Sequence, residues 1–326
     1  MTIAVIGGSG FIGTRFVARL RAAGHEVRIV DLQPSNAFPD LVTTCDVRDP
    51  DGLARACEGA DAIVNLAAEH RDDVRPISLY DEVNVDGARH TCAAARANGV
   101  DRLLFTSSVA VYGFTEQGNP LDETAPTCPF NDYGRTKLEA EAVYREWLGE
   151  SSDRSLTIVR PTVVFGENNR GNVYTLLHQI AKGPFLMIGD GRNKKSMAYV
   201  ENVAAFLEFC LGQSAGEHVY NYVDKPDFDM NRLIDVIGST LGRSAGGGLR
   251  LPYAAGYAAG GLADLVSAAI RRPLPLSRIR VKKFCASTEF DSQKMLGSGF
   301  HPPVELASAV EKTIVHEFGT GAEPGA

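Results

Sequence analysis

Hydrophobic positions along the N-terminal half of the chain alternate between two rhythms. Residues 3–6 are an unbroken apolar run, Ile-Ala-Val-Ile, short and rich in β-branched residues, as a strand buried on both faces requires. A glycine-rich turn follows and opens into a stretch with Phe16, Val17 and Leu20 at helical core spacing. The alternation then repeats. Residues 27–30 form a strand ending in Asp31, and residues 62–66 form another leading into Ala67 and Ala68. A helix is predicted over residues 80–97, a strand over 102–106 stopping at Ser107 and Ser108, and a helix from Tyr133 to Trp147. Apolar strands alternating with helices predict a doubly wound α/β fold around a parallel sheet.

Composition changes this picture little. At 326 residues, 44% apolar and 22% charged, the chain is an ordinary globular protein with room for a sizeable core. A net charge of −7 argues against electrostatic binding of nucleic acid, while a local basic site for a phosphorylated ligand remains open. The cysteines at 45, 57, 92, 128, 210 and 285 include no C-x-x-C pair, so metal-ligand spacing is missing and a reduced, cytoplasmic setting is expected. Residue 1 runs straight into the first strand, so no signal peptide is expected. The small polar tail 319–326 is expected to be disordered.

The first turn carries candidate chemistry. It reads Gly7-Gly8-Ser9-Gly10-Phe11-Ile12-Gly13, a G-x-x-G-x-x-G spacing between strand and helix. Gly7 permits the tight turn, Gly10 lets backbone approach a pyrophosphate, and Gly13 brings the helix against the strand. The helix start then offers free N–H groups to phosphates. A purely structural turn is the plain alternative. Asp31, 18 residues after Gly13, favours a dinucleotide: its carboxylate suits both ribose hydroxyls and repels a 2′-phosphate, which selects NAD over NADP. Asp46, before Val47, could bond the adenine amino group, cap the helix that follows Asp49-Pro50, or do both. His70 reads as a polar loop residue rather than a base.

A second constellation lies downstream. Ser108 closes a strand, and Tyr133 and Lys137 stand four residues apart at a helix start, hence on one face. A nearby ammonium and a positive nicotinamide would lower the phenol from its ordinary pKa of about 10. The phenolate could then take a proton from an alcohol as hydride leaves its carbon, with Ser108 holding the same oxygen. Asn84 is expected to tie the strand at 102–106 to its own helix.

These motifs resemble the extended short-chain dehydrogenase/reductase family, in its nucleotide-sugar epimerase, dehydratase and reductase branch. The resemblance spans nearly the whole chain. It also takes in 65–68, Val111-Tyr112-Gly113, Arg160-Pro161, 164–166, 189–191, 199–204, Phe290-Asp291 and Leu296-Gly297. It implies a Rossmann NAD domain over 1–166, rejoined by a helix and strand at 200–223, with a substrate lobe over 167–199 and 224–318. It also implies a homodimer through helices 84–97 and 134–147. The implied NAD contacts are Gly7, Gly10, Phe11, Ile12, Gly13, Asp31, Leu32, Asp46, Val47, Leu66, Ala67, Ala68, Asn84, Tyr133, Lys137 and Pro161. The implied substrate contacts are Ser108, Arg160, Asn172, Leu186, Ile188, Lys195 (an arginine in many members) and Arg280, together with Lys282. Asn172 reads also as a helix N-cap, and Arg280 equally as solvated surface charge.

Departures from the family's subgroups narrow the chemistry. The two positions before Val-Tyr-Gly are Asp and Glu in the 4,6-dehydratases. The second is Glu in the decarboxylases and Cys in the 3,5-epimerase/reductases. Here they are Val109 and Ala110, which carry no proton. What remains is hydride chemistry: C4 epimerisation of a nucleotide-linked, UDP-type hexose or N-acetylhexosamine through a 4-keto intermediate. The alternatives are a 4-ketoreductase of a 4-keto-6-deoxy nucleotide sugar, and a non-catalytic NAD(H) sensor that would need none of Ser108, Tyr133 and Lys137. Residues 251–270 approach the length of a membrane span but include Asp264, Ser267 and three glycines, so a buried or lobe-capping helix is expected. Peripheral membrane contact flanked by Arg271 and Arg272 is its alternative, and would suit an enzyme of cell-surface polysaccharide synthesis.

Overall fold

Strands buried on both faces need helices on both sides, and the chain supplies them in turn. In the computed structural model β1 (Thr2–Ile6), α1 (Phe11–Ala22), β2 (Glu26–Asp31), β3 (Val42–Thr44), α2 (Pro50–Ala56) and β4 (Ala62–Asn65) form the first half. The short α3 (Ser78–Tyr80) continues through a π-helical turn, Asp81–Asp86, into α4 (Gly87–Ala97). Next come β5 (Arg102–Thr106), α5 (Asp132–Leu148), β6 (Ser155–Pro161), β7 (Val163–Phe165), α6 (Asn172–Ala181), β8 (Met187–Ile188), β9 (Lys194–Tyr199) and α7 (Val200–Cys210). The chain ends with β10 (Gly216–Tyr222), β11 (Asp224–Asp229), α8 (Met230–Thr240), β12 (Arg250–Leu251), α9 (Tyr253–Ile270), α10 (Arg278–Cys285), α11 (Gln293–Gly297) and α12 (Leu306–Phe318). The structure describes residues 1–71, 73–113, 118–183, 185–243, 249–270, 272 and 277–319. The tail beyond 319 and Arg271 lie outside them.

Seven strands make the central sheet in the order β10-β6-β5-β4-β1-β2-β3, and all its pairs are parallel. This is the expected doubly wound α/β fold. Alternate residues of β1 feed two cores: Ile3 and Val5 pack with Phe16, Val17, Leu20 and, on α7, Val203, Phe206 and Leu207. Ala4 and Ile6 pack with Leu53, Ala88, Cys92, Tyr144 and Trp147 on the other face. Strand order reverses between β1 and β4, and a crevice at such a reversal is where ligands bind in these sheets.

A third core joins α6, α8 and α12 around Phe165, Leu177, Met197, Leu233 and Val310. Beside it β7, β9 and β11 form a small sheet, and β8 pairs in parallel with β12. The 251–270 segment is neither a span nor a buried helix: α9 lies on the surface against α10. Among the described residues no helix is long and apolar enough to cross a membrane.

Candidate active site

The glycine turn adopts a geometry that only these residues allow. Gly7 has a φ of +78°, and a β-carbon there would lie 2.7 Å from the Ala67 nitrogen. A β-carbon on Gly13 would lie 2.5 Å from the Gly7 carbonyl oxygen. Gly10 leads into α1 in an extended conformation, and no side chain caps the helix. The first amides of α1 are therefore available to an anion at the positive end of the helix dipole.

Asp31 closes β2 beside this turn. Its Oδ2 accepts the Ser9 N–H at 3.0 Å and its Oδ1 the Gln33 N–H at 2.9 Å, so the carboxylate is fixed at the crevice, half exposed, with lone pairs to spare. Leu32 next to it is exposed, Val47 is buried against Gly87, and Leu66, Ala67 and Ala68 line the end of β4. A cradle of uncapped amides, clearance for a pyrophosphate and a fixed carboxylate fits a dinucleotide. Asp46 does not cap the next helix: its carboxylate accepts Arg48 Nη2 at 2.6 Å, and hydrogen bonding to Arg48 holds it below the usual carboxylate range. The helix cap is Asp49, whose Oδ1 accepts the Gly52 N–H at 3.0 Å. Asn84 is also redirected. It does not bond β5 but joins the loop after β4 to α5, giving 2.9 Å bonds with Glu69 N–H and Thr136 Oγ1.

The proton-handling group forms where a short 3-10 turn meets the start of α5. Ser108 caps a 3-10 turn, Val109–Tyr112, by accepting the Ala110 N–H at 3.1 Å. Asn131 caps α5 through the Gly134 N–H at 2.9 Å. A β-carbon on Gly134 would lie 2.5 Å from the Ala110 carbonyl oxygen, so glycine here lets α5 start against the Ser108 turn. The result is a Ser108 hydroxyl brought close enough to the Tyr133 phenol to act on its ionisation. Burial pushes the Tyr133 phenol up, and Ser108 acts against that rise. One turn on, Lys137 is fully enclosed and donates to the Thr106 carbonyl at 2.8 Å. Burial pushes its ammonium down to about 7, with Glu141 opposing. Val109 and Ala110 stand beside Ser108 and bring no acid or base.

Glu141 extends the stripe one further turn and was not visible as a functional position from spacing. Burial would raise its carboxyl, but Arg160, Ser107 and Arg145 turn the shift downward. Arg160 donates to it at 2.6 and 2.8 Å and to the Tyr112 hydroxyl at 2.7 Å, and that hydroxyl donates to Asn221. Arg160, expected on the substrate, is therefore only 4% exposed and held in an internal ion pair. It braces the Ser108 turn from below. Pro161 follows it, buried at the end of β6.

The remaining substrate candidates are scattered. Asn172 is the exposed first residue of α6 and not its cap, which is Gly171. Lys195 donates to the Ala286 carbonyl, and burial pushes it down to about 8. A cavity of about 780 Å³ is lined by Ile188, Arg250, Tyr253, Lys282 and Cys285 among others; Leu186 and Arg280 are exposed and are not part of that lining. His70 is an exposed loop residue. Among the described residues no cluster of three metal-ligating side chains occurs.

Comparison with known proteins extends this geometry. The NAD dependent epimerase/dehydratase family matches residues 3–222. The chain is 48% identical over 318 residues to an N-acetyl-alpha-D-glucosaminyl-diphospho-ditrans,octacis-undecaprenol 4-epimerase from Escherichia coli O157:H7, covering 97% of this chain and 95% of that one. Among solved structures, a UDP-N-acetylglucosamine 4-epimerase from Bacillus cereus superposes with a TM-score of 0.76 at 18% identity over 97% of this chain and 98% of its own. A UDP-glucose 4-epimerase from Thermus thermophilus, in complex with NAD, gives 0.73 at 22% over 97% and 98%. At these identities the two structures speak for the fold.

Proposed function

The chain belongs to the NAD dependent epimerase/dehydratase family, and from that premise we propose that it interconverts the C4 epimers of an N-acetylhexosamine carried on a polyprenyl diphosphate. The reaction type rests on one observation. The Ser108 hydroxyl stands beside the Tyr133 phenol, and the adjacent Val109 and Ala110 offer no second proton carrier. Such a site can oxidise and re-reduce a single alcohol carbon but cannot move a proton at a neighbouring carbon. The carrier rests on the 48% relative, and UDP is the alternative.

In this reading Tyr133 takes the C4 hydroxyl proton while Ser108 holds the oxygen, and Lys137 biases the phenol toward its ionised form. Bound NAD, which the glycine turn and Asp31 would hold, would supply the hydride acceptor and donor for C4. Tyr133 gives its proton back to the same oxygen, so the site regains its starting state. We also infer a division into a cofactor domain, 1–166 with 200–223, and a substrate lobe, 167–199 with 224–318. A homodimer through α4 and α5 and a cytoplasmic setting complete the proposal; sedimentation and fractionation test these.

Purified protein offered a polyprenyl-diphosphate N-acetylglucosamine without added NADH should yield the galacto epimer, seen by chromatography of the released sugar. Turnover confined to UDP-sugars would move the carrier to UDP. Inert sugars without NADH, with a 4-keto-6-deoxy sugar consuming it stoichiometrically, would replace the epimerase by a ketoreductase.

A further inference from the structure

α9 is built inside out. Among its described side chains the buried positions are glycines: Gly256 faces Ile188, Gly260 faces the backbone of Ser277 and Arg278, and Gly261 faces the Arg278 guanidinium. Its large apolar side chains point the other way. Leu262 is 66% and Leu265 69% exposed, and Val266, Ile270 and, on α10, Ile279 are exposed beside them. A helix on a water-facing surface ordinarily turns such residues inward.

Charge marks the same region. Residues 250–283 carry seven basic side chains and one acid, within a chain whose net charge is −7. The acid, Asp264, is directed at the start of α10, where it accepts the Arg278 N–H at 3.1 Å. Arg272, just after α9, and Arg280 and Lys282, on α10, are exposed. The cavity of about 780 Å³ lies at the other end of the same helix pair, with Tyr253 of α9 and Lys282 of α10 in its wall.

We propose that α9 and α10 form a docking surface for a bilayer rich in anionic phospholipid, with the leucines entering the interface and the basic side chains meeting the headgroups. This deepens the polyprenyl-diphosphate reading and rests on it for its purpose: a sugar held at the membrane by its lipid would reach the cavity without leaving the bilayer. Symmetric pairing of two copies through this face would instead set like charges against each other.

The test is flotation of the full chain with phosphatidylcholine vesicles containing phosphatidylglycerol, against phosphatidylcholine alone. Binding should require the anionic lipid, weaken with salt, and fall roughly tenfold or more in a Leu262→Gln/Leu265→Gln double variant. Turnover of a short-chain, water-soluble polyprenyl-diphosphate sugar is measured alongside and should be unchanged in that variant. No binding to anionic vesicles with turnover intact overturns the docking surface and spares the substrate reading. Vesicle binding with turnover only on UDP-sugars overturns the substrate reading and spares the surface. Self-association that the double variant abolishes, without vesicle binding, assigns the face to a second copy and overturns the proposal.

Discussion

Gly13 in α1 and Gly260 in α9 both sit where a β-carbon has no room. A Cβ would lie 2.5 Å from the Gly7 carbonyl oxygen in the first case and 2.9 Å from the Arg278 nitrogen in the second. In α1 the missing side chain seats the helix on the first turn and leaves its uncapped amides facing the crevice. In α9 it admits α10, and the large side chains are left outside. A glycine at a close approach therefore reports that something comes near. The groups around it decide whether that is a ligand or another helix: at Gly13 they are free amides and the Asp31 carboxylate, at Gly260 a neighbouring backbone.

The sharpest way to separate the two regions is chemical. Tyr133→Phe should keep the fold and NAD binding but lower turnover at least about a hundredfold, about 2.7 kcal/mol in the barrier. Turnover within tenfold of the parent would place the proton carrier elsewhere. Because burial raises the Tyr133 phenol and the phenolate is the working form, kcat/KM should climb with pH. Lys137→Met should displace that limb to higher pH, and an unmoved limb would remove Lys137 from the tyrosine's electrostatics.

Overpacking comes next in size. Gly13→Val should lose about 2 kcal/mol in denaturant unfolding together with NAD binding. A variant that binds NAD normally would break the distinction between a ligand-facing and a helix-facing glycine. The carboxylate beside that turn should favour NAD over NADP at least tenfold, about 1.4 kcal/mol, by calorimetric titration; equal affinities would free Asp31 of that role. The smallest effect belongs to α9: Gly260→Ala should cost about 1 kcal/mol of stability and leave NAD affinity unchanged.

What could be read from sequence follows the same divide. The glycine turn, Asp31, and Ser108 with Tyr133 and Lys137 were legible because short spacings fix them on a turn, a strand end and one helix face. The central strands were legible because both faces are apolar. Arg160 was misassigned because nothing near it in sequence shows Glu141, which reaches it only when α5 packs on β6. The Asp46 cap and the tie from Asn84 to β5 failed similarly: the partners Arg48 and Thr136 depend on side-chain direction and on α5. The lobe was least legible, since β8 and β12 are two residues each and mean nothing until paired.

β10 has a consequence for synthesis. It pairs along all of β6, from Gly216 with Ser155 to Tyr222 with Pro161, yet the chain makes β7, α6, β8, β9 and α7 between them. α7 likewise arrives late to cover α1, with Phe206 and Leu207 against Phe16 and Val17. While the chain is being made, a nascent polypeptide that has reached only residue 166 holds the glycine turn and Tyr133 but exposes the outer edge of β6 and the apolar side of α1 that α7 later covers. Such an edge pairs readily with other chains. Ribosome-bound intermediates of that length should therefore need chaperone cover, and a fragment cut there should aggregate when expressed alone.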